Sequence, residues 1–305
     1  PGDIYIVICD ADVSRAWVPL DPRKSRIKYF APTGRVVERL RLYGVRKENI
    51  LFTGFPLPME NVGGPEAKLA LSDLSRRMCN LDPQGVFATH SQAMLEAAFG
   101  QTFCMAVKNK RPSPISLTFA VGGAGAQREM GVAAAKSLSR DILDGKLTMN
   151  LVAGTRPEVA EFFTDELKRT SLKRALADGR ITILSTPDRA EYFASFNKLM
   201  RKTDILWTKP SELSFYTGLG LPILMAPTVG SQEDFNRNWL FQVGGGTDAL
   251  APEHAGEWLW DWIKGGALAR MAWNRYTNAP THGANRIEDV ARGREWSMHE
   301  LPLVV

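Results

Sequence analysis

The chain has 305 residues, 44% of them hydrophobic and 23% charged, which is enough apolar material to bury one large or two ordinary domains and excludes a disordered chain. Its net charge of +5 is a modest excess, which we take to be spread along the sequence, so it only weakly indicates a polyanionic partner. We therefore expect no nucleic-acid partner.

Basic residues form two visible clusters. The first contains Arg35, Arg39, Arg41, Arg46 and Lys47, and the second contains Lys108, Lys110 and Arg111. Neither cluster is interleaved with aromatic residues, as a groove for single-stranded nucleic acid requires. We interpret the first cluster as the solvated face of a helix and the second as part of a polar linker.

The three cysteines, Cys9, Cys79 and Cys104, lie far apart and form no Cys-x-x-Cys pair, so the sequence predicts neither a disulfide framework nor a thiolate zinc site. The four histidines share no short spacing, and we expect no metal site. No apolar run approaches the roughly 18 residues that span a bilayer, and the given sequence does not open with a basic segment followed by an apolar run, the pattern of a signal peptide. These features predict a soluble protein in the reducing cytoplasm.

Residues 1–58 have the order strand, helix, strand. An apolar run over 4–8 predicts a buried strand that ends at Cys9 and Asp10, and 28–31 predicts a second strand. Helical spacing predicts a helix over 36–43, which Gly44 ends, and 49–53 predicts a third strand. Because the chain starts at Pro1 without a methionine and enters a strand almost at once, we interpret this region as the last strands of a parallel domain that begins before Pro1.

Residues 59–114 are predicted to be a helical connector, with helices over 66–81 and 92–99 and a linker over 109–114. Strands and helices then alternate regularly through residues 115–305. The predicted strands are 115–121, 148–153, 181–184, 205–208 and 223–226, and the helices between them are 127–139, 158–167, 189–200 and 211–218. This alternation predicts a doubly wound parallel sheet, whose ligands bind beyond the carboxyl ends of the strands. Trp-rich helices are expected after residue 235, with an irregular tail after Trp296.

A loop of small residues follows the first strand of this sheet and opens a helix. The loop contains Gly122, Gly123, Ala124 and Gly125. Its backbone N–H groups can approach a diphosphate at the N-terminus of the helix, or the glycines only serve a tight turn. The next strand is followed by Thr155 and Arg156, where a nicotinamide-dinucleotide fold normally places an acid for the ribose. That difference argues against a dehydrogenase.

A second group of polar residues surrounds the short strand 223–226. Its members are Lys209, Ser211, Glu212, Gln232, Glu233 and Asn236. Glu212, in the first turn of a helix, can accept two hydrogen bonds from a ribose diol, or it only offsets the helix dipole. Lys209 either meets a phosphate as a point charge or points to solvent. The side chains at 232, 233 and 236 can hydrogen-bond the hydroxyls of a hexose, and helix capping by Ser231, with Asp234 three residues on, is the structural alternative.

Together these segments resemble the GT-B glycosyltransferases of the peptidoglycan N-acetylglucosaminyl transferase and monogalactosyl- and glucosyl-diacylglycerol synthase group. The resemblance extends to about Gly246 and rests on residues 10–17, 53–56, 122–125, 209–210, 220–222 and 230–236. It implies an α/β fold of the GT-B type, in which two Rossmann-like domains face a cleft and the C-terminal one holds a UDP-sugar. Here Ser211 and Glu212 follow Lys209-Pro210 directly, without the two glycines that the family has at this point.

The resemblance also implies roles for individual residues. It assigns Gly123, Ala124 and Gly125 to the diphosphate, Glu212 to the ribose, Ser185 and Thr186 to the base, and Gln232, Glu233 and Asn236 to the donor sugar or its phosphates. Gly122, Thr155, Arg156, Lys209 and Ser211 complete the candidate substrate-binding set. Asp10 is the best visible acidic candidate for catalysis, and its alternative role is to fix a loop beside the cleft.

The implied function is transfer of a hexose from a UDP-sugar to an acceptor hydroxyl, without a metal and with no cofactor besides the donor substrate. Backbone N–H groups and Lys209 would stabilise the leaving diphosphate. Two alternatives stay open. One is a 2-epimerase of the same fold, an enzyme type that carries acid and histidine residues in the cleft. The other is a non-catalytic nucleotide-sugar-binding or partner subunit.

The acceptor is expected to be a lipid or a glycan, because lipid acceptors occur in this family. Peripheral contact with the inner face of the membrane is therefore part of the expectation. The Trp-rich segment 257–263 has two interpretations. It lies on a membrane surface, or it packs Trp258, Leu259, Trp262 and Ile263, which share one helical face, into the core.

Overall fold

A computed structural model describes residues 4–110, 112–120, 125 and 127–294. The strands are β1 Ile4–Val7, β2 Ile27–Ala31, β3 Ile50–Phe52, β4 Ile115–Ala120, β5 Leu147–Gly154, β6 Ile181–Ser185, β7 Ile205–Thr208, β8 Ile223–Met225 and β9 Gly246–Asp248. The α-helices are α1 Gly34–Leu42, α2 Met59–Val62, α3 Lys68–Leu81, α4 Val86–His90, α5 Gln92–Asn109, α6 Arg128–Ser137, α7 Ser139–Leu143, α8 Pro157–Lys168, α9 Lys173–Ala177, α10 Arg189–Lys202, α11 Ser231–Gln242, α12 Ala255–Lys264, α13 Ala267–Asn278 and α14 Gly283–Ala291.

The first sheet is parallel and has the order β1-β2-β3. Helix α1 covers it with Val36, Val37 and Leu40, which are fully buried, and Thr33 caps the helix by accepting a hydrogen bond from the Val36 N–H. The prediction of a buried first strand is wrong, because β1 is an edge strand among the described residues and leaves Ile4 and Val7 exposed. An apolar run alone does not tell whether a helix covers the strand.

The second sheet is also parallel, and its order is β6-β5-β4-β7-β8-β9. The sequence predicted five of these strands and missed β9, whose three residues, Gly-Thr-Asp, have no apolar pattern. The chain begins this sheet in the middle with β4 and later returns beside it with β7. The strand order therefore reverses between β4 and β7, and the crevice beyond their carboxyl ends is the place where such sheets bind ligands.

The largest cluster of buried hydrophobic residues contains residues of the second sheet and of the Trp-rich helix α12. Trp258, Leu259 and Ile263 of α12 are buried, and the Trp258 ring meets Trp207 of β7 edge to face at 5.4 Å. The core-packing interpretation of 257–263 is confirmed, and its membrane-surface alternative is wrong. In the part of the chain that the structure describes, no helix has both the length and the apolar composition of a membrane crossing.

Two predicted helices have different extents in the structure. The helix predicted over 92–99 continues to Asn109, although Gly100 interrupts it with the non-helical φ of 78°. The helix predicted over 127–139 is divided into α6 and α7 by Leu138, which lies outside both. The apolar periodicity reveals neither of these local backbone changes.

The last described helix returns to the first sheet. Arg286 of α14 donates a hydrogen bond to the Thr53 carbonyl at 2.9 Å. Gly283, at the start of α14, lies so close to the Phe55 backbone that a Cβ there would be 2.1 Å from the Phe55 carbonyl oxygen. The last described helix therefore packs against the segment that follows β3. The tail predicted after Trp296 lies outside the described residues.

Candidate functional site

Two described residues after β4, Gly125 and Gln127, lie near the start of α8 and the segment after β8. Gly122, Gly123 and Ala124 lie outside the described residues, but Gly125 is described and has φ of +68°. A Cβ at Gly125 would lie 2.9 Å from Val159 Cγ2 at the start of α8. On the other side, the Gln127 side chain donates to the Pro227 carbonyl beyond β8 at 2.9 Å. Only glycine fits at position 125 without strain.

The residues after β5 and β6 differ in accessibility. Thr155 and Arg156 are exposed, and the Arg156 guanidinium lies 3.4 Å from the Glu158 carboxylate. Ser185 is half-buried at the end of β6, whereas Thr186 is buried and donates its hydroxyl to Glu191 at 2.9 Å. Of these four predicted residues, Thr155 and Arg156 remain open to a ligand, and Thr186 is used within the fold.

Lys209, directly after β7, forms a buried ion pair with Glu233 in the first turn of α11. The distance from Lys209 Nζ to Glu233 Oε1 is 2.5 Å, and the side chains are 17% and 8% exposed. The other carboxylate oxygen of Glu233 accepts the Val229 N–H at 2.7 Å. Neither sequence interpretation of Lys209 anticipated this arrangement. An ammonium has three donors, so one bond to Glu233 leaves two for a ligand.

Glu212 begins a 3-10 helix, Glu212–Leu219, in the segment where the sequence predicted a helix over 211–218. Ser211 is its N-cap residue and makes no side-chain capping bond. Glu212 is exposed, and its carboxylate is close enough to the loop after β1 to affect Cys9. Burial raises the pKa of the Cys9 thiol, and the charges of Asp10 and Glu212 raise it further. The charges of Glu212 and Asp10 therefore both act on Cys9, although the two acids come from different parts of the chain.

Asn236 connects α11 to the loop after β1. It is fully buried, its carbonyl accepts the Ala11 N–H at 2.7 Å, and its amide donates to Asp10 Oδ1 at 2.9 Å. The side chain predicted to bind the donor sugar is thus engaged with the opposite wall. Gln232, one turn earlier, is exposed.

The capping hypothesis for α11 is wrong. The N-cap residue is Gly230, which has no side chain to supply the capping bond, and Ser231 is already helical. Asp234 instead accepts a hydrogen bond from the Thr228 hydroxyl at 2.7 Å. The first turn of α11 is therefore held by the loop before it rather than by a capping box.

A cleft of about 710 Å³ lies between the loop after β1 and the start of α11. Cys9, Asp10 and Trp17 line it from one side, and Ser231, Gln232 and Phe235 line it from the other. Because Asn236 also spans this gap, the walls of the cleft are joined by hydrogen bonds. A ligand there would contact both parts of the chain.

A second acid of the same loop, Asp12, was not anticipated from the sequence. It is buried and accepts hydrogen bonds from Arg35 at 2.8 Å and from Arg39 at 3.1 Å. Hydrogen bonding to Asp12 raises the pKa of Arg39. The interpretation of the whole first basic cluster as a solvated face is wrong for these two residues. Their spacing of four residues on one helix was the available signal.

We predict that Asn236→Ala lowers the free energy of unfolding by about 2 kcal/mol, because it leaves the buried Ala11 N–H without an acceptor and Asp10 without its donor. Asn238, two residues later and exposed, provides the matched control, and Asn238→Ala should change stability by less than about 0.5 kcal/mol. Urea denaturation of both variants measures the difference. Equal free energies of unfolding for the two variants would show that the Asn236 hydrogen bonds contribute little to stability.

A family model described as a domain of unknown function, DUF6938, matches residues 104–263. The search of curated proteins found no match. Among solved structures, the chain is similar to a protein provisionally named a UDP-N-acetylglucosamine 2-epimerase from Listeria monocytogenes. The TM-score is 0.51 and the identity is 16%, and the match covers 87% of this chain and 59% of that one.

Two further structures are similar at lower scores. Anabaena HepE in complex with UDP and glucose has a TM-score of 0.47 and 13% identity, covering 95% of this chain and 71% of HepE. A glycosyltransferase from Rickettsia africae has a TM-score of 0.46 and 11% identity, covering 94% of this chain and 69% of that one. The chain spans about three fifths of the length of the Listeria protein. The predicted α/β fold of the GT-B type, with Rossmann-like parallel sheets, is confirmed.

Proposed function

The chain belongs to the DUF6938 family, and we propose that it is a nucleotide-sugar-dependent hexosyltransferase of GT-B fold, or the donor-binding part of one. The observation that carries the proposal is the strand-order reversal beside β7, where Lys209 pairs with Glu233 of α11, the helix whose first residues line the cleft opposite the Asp10 loop. A crevice at this point of a parallel sheet is suited to a nucleotide. The donor would be a UDP-sugar.

On the donor side, the diphosphate would lie between the loop after β4 and Lys209. Arg156 is exposed near this loop, since its Cδ would be 3.9 Å from a Cβ on Gly125. Two free N–H donors of Lys209, the Arg156 guanidinium and the backbone N–H groups of the loop would then receive the charge of the leaving group. Glu212 would bind the ribose, and Gln232 the hexose.

On the acceptor side, Asp10 would take the proton of the acceptor hydroxyl. The acceptor oxygen forms the new bond to C1 of the hexose, while the bond from C1 to the diphosphate oxygen breaks and its electron pair leaves with UDP. Asn236 would hold the Asp10 carboxylate in place through the 2.9 Å hydrogen bond. A lipid or glycan hydroxyl is the acceptor class that we propose, in a cytoplasmic protein.

The described lining of the cleft favours transfer over epimerisation. It includes Asp10 and Asp12 but no histidine, whereas an epimerase of this fold is expected to use both acids and histidine. Asp12 is already engaged with two arginines, which leaves Asp10 as the acid of this loop that is available for proton transfer.

Isothermal titration with UDP tests the proposal. We expect a dissociation constant below about 1 mM, with uridine, which has the same base and ribose, binding at least tenfold more weakly because it lacks the diphosphate. Absence of UDP binding would contradict both the transferase and the epimerase. Incubation with radiolabelled UDP-hexoses and a panel of lipid and glycan acceptors then separates them, because an epimerase converts the sugar nucleotide without an acceptor. Binding without turnover would indicate a partner subunit.

A further inference from the structure

Positive charge is concentrated in one short part of the chain. Residues 14–48 contain ten Lys or Arg and three Asp or Glu, a net charge of +7, whereas the remaining residues contain 28 Lys or Arg and 30 Asp or Glu, a net charge of −2. The expectation that the excess is spread along the sequence is therefore wrong. A concentration of this kind on a folded surface attracts polyanions.

These residues fold into one continuous surface. The loop 14–26 packs against the C-terminal end of α1, because Pro22 approaches Gly44 and the Ser25 carbonyl accepts hydrogen bonds from Arg46 at 3.3 Å and from Asn49 at 3.0 Å. The Arg15 guanidinium lies 6.0 Å from the Tyr43 ring. The loop, the end of α1 and the segment after it therefore present their charges together.

Large apolar side chains project from this surface. Trp17, Leu20 and Leu42 are 62%, 99% and 77% exposed. The same segment carries exposed basic residues, namely Arg23, Lys24, Arg41, Arg46 and Lys47, of which Lys24 pairs with Asp21 and Arg41 with Glu38. Leu42 follows Arg35 and Arg39 on one stripe of α1, opposite the buried face of the helix. We call the exposed part of residues 14–48 the basic face.

We propose that the basic face docks on an anionic lipid surface. Exposed basic residues supply attraction to anionic headgroups, and Trp and Leu side chains insert at the boundary between headgroups and acyl chains. A nucleic-acid site would use the charge but would leave Leu20 and Leu42 in water. This surface is distinct from the Trp-rich helix α12, whose Trp258 is in the core.

Docking would bring the cleft to the lipid. Trp17 belongs to the basic face and also lines the cleft beside Asp10. A molecule held in the bilayer could therefore reach the cleft without leaving the surface. The docking itself needs no nucleotide, so it stands independently of the proposed function.

Sedimentation with vesicles tests the inference. The full chain should bind vesicles of phosphatidylglycerol and phosphatidylcholine at least tenfold more strongly than vesicles of phosphatidylcholine alone, and added NaCl should release it. The double variant Lys24→Gln with Lys47→Gln should bind about tenfold more weakly. Its matched control is Lys168→Gln with Lys173→Gln, which removes the same charge from exposed positions in α8 and α9 and should bind normally.

The apolar contribution has its own pair of variants. Leu20→Ser should weaken vesicle binding several-fold, whereas Leu250→Ser, at another exposed leucine, should not. Equal binding to neutral and anionic vesicles, or equal losses in a variant and its control, would overturn the proposal. Tighter binding to an RNA oligonucleotide than to anionic vesicles would overturn it in favour of a nucleic-acid partner. UDP titration of the same variants should be unchanged, so loss of docking and loss of nucleotide binding are separate results.

Discussion

Arg77→Leu is expected to lower the free energy of unfolding by about 4 kcal/mol, the largest stability loss that we predict for a single substitution. Arg77 lies in α3 and is 1% exposed. Its guanidinium donates to the carbonyls of Thr203 at 2.8 Å, Leu219 at 2.6 Å and Met200 at 3.0 Å. A leucine would fill most of the volume but would take a charged donor from all three carbonyls. The Thr203 carbonyl would keep Arg76 at 3.2 Å and the Met200 carbonyl would keep the Thr203 N–H at 3.3 Å.

The location of these carbonyls explains why the loss should be large. Met200 and Thr203 lie at the end of α10, and Leu219 ends the 3-10 helix after β7. Arg77 therefore fastens helix α3 to the segments before and after β7. Burial lowers the pKa of Arg77 to about 10, so the guanidinium is still charged at neutral pH. Its charge-assisted hydrogen bonds are retained there.

Urea denaturation measures this effect. Arg77→Lys should lose about half as much stability, because an ammonium keeps the charge but cannot reach all three carbonyls with the geometry of a guanidinium. Arg140→Leu, at an exposed position of α7, is the matched control and should change stability by less than about 0.5 kcal/mol. A loss below about 1 kcal/mol for Arg77→Leu would mean that water or relaxed backbone satisfies the carbonyls.

The sequence predicted most of the fold because its elements have strong local patterns. Helix α1, for example, has a capping Thr33, an apolar stripe and Gly44 with φ of +89° just beyond its end. Strand β9 and the break at Gly100 have no such pattern, and they depend on neighbours that are distant in sequence. The Arg77 contacts were not predictable either, because they join residues more than 100 positions apart.

The candidate site was predicted less completely than the fold. Loops after parallel strands meet at one edge, so the alternation of strands and helices was enough to predict that Lys209, Glu212 and Gln232 lie near one another. Which polar groups pair with each other could not be predicted, since a pairing depends on side-chain directions at two separate places. Asn236, for example, bonds to Asp10, 226 positions away. The described residues therefore divide the predicted set into side chains open to a ligand and side chains that hold the cleft together.

Lys209→Met is expected to weaken UDP binding by about 100-fold, the largest functional effect that we predict. The substitution removes a cation from the crevice, and it also leaves Glu233, which is 8% exposed, as a buried carboxylate without its partner. The second effect should cost about 3 kcal/mol of stability. Reduced UDP binding by this variant alone would therefore not distinguish a ligand-binding lysine from one that only supports the fold.

The double variant Lys209→Met with Glu233→Gln separates the two roles. Removing both charges leaves a neutral amide that can still accept the Val229 N–H, which Glu233 now accepts at 2.7 Å. Stability should therefore recover by more than about 1.5 kcal/mol relative to Lys209→Met, since the two partners are directly coupled. UDP affinity should stay about 100-fold reduced, because the cation that would meet the diphosphate is still absent. Recovery of both properties would assign Lys209 to the fold alone, and the donor phosphates would then depend on Arg156 and the loop after β4.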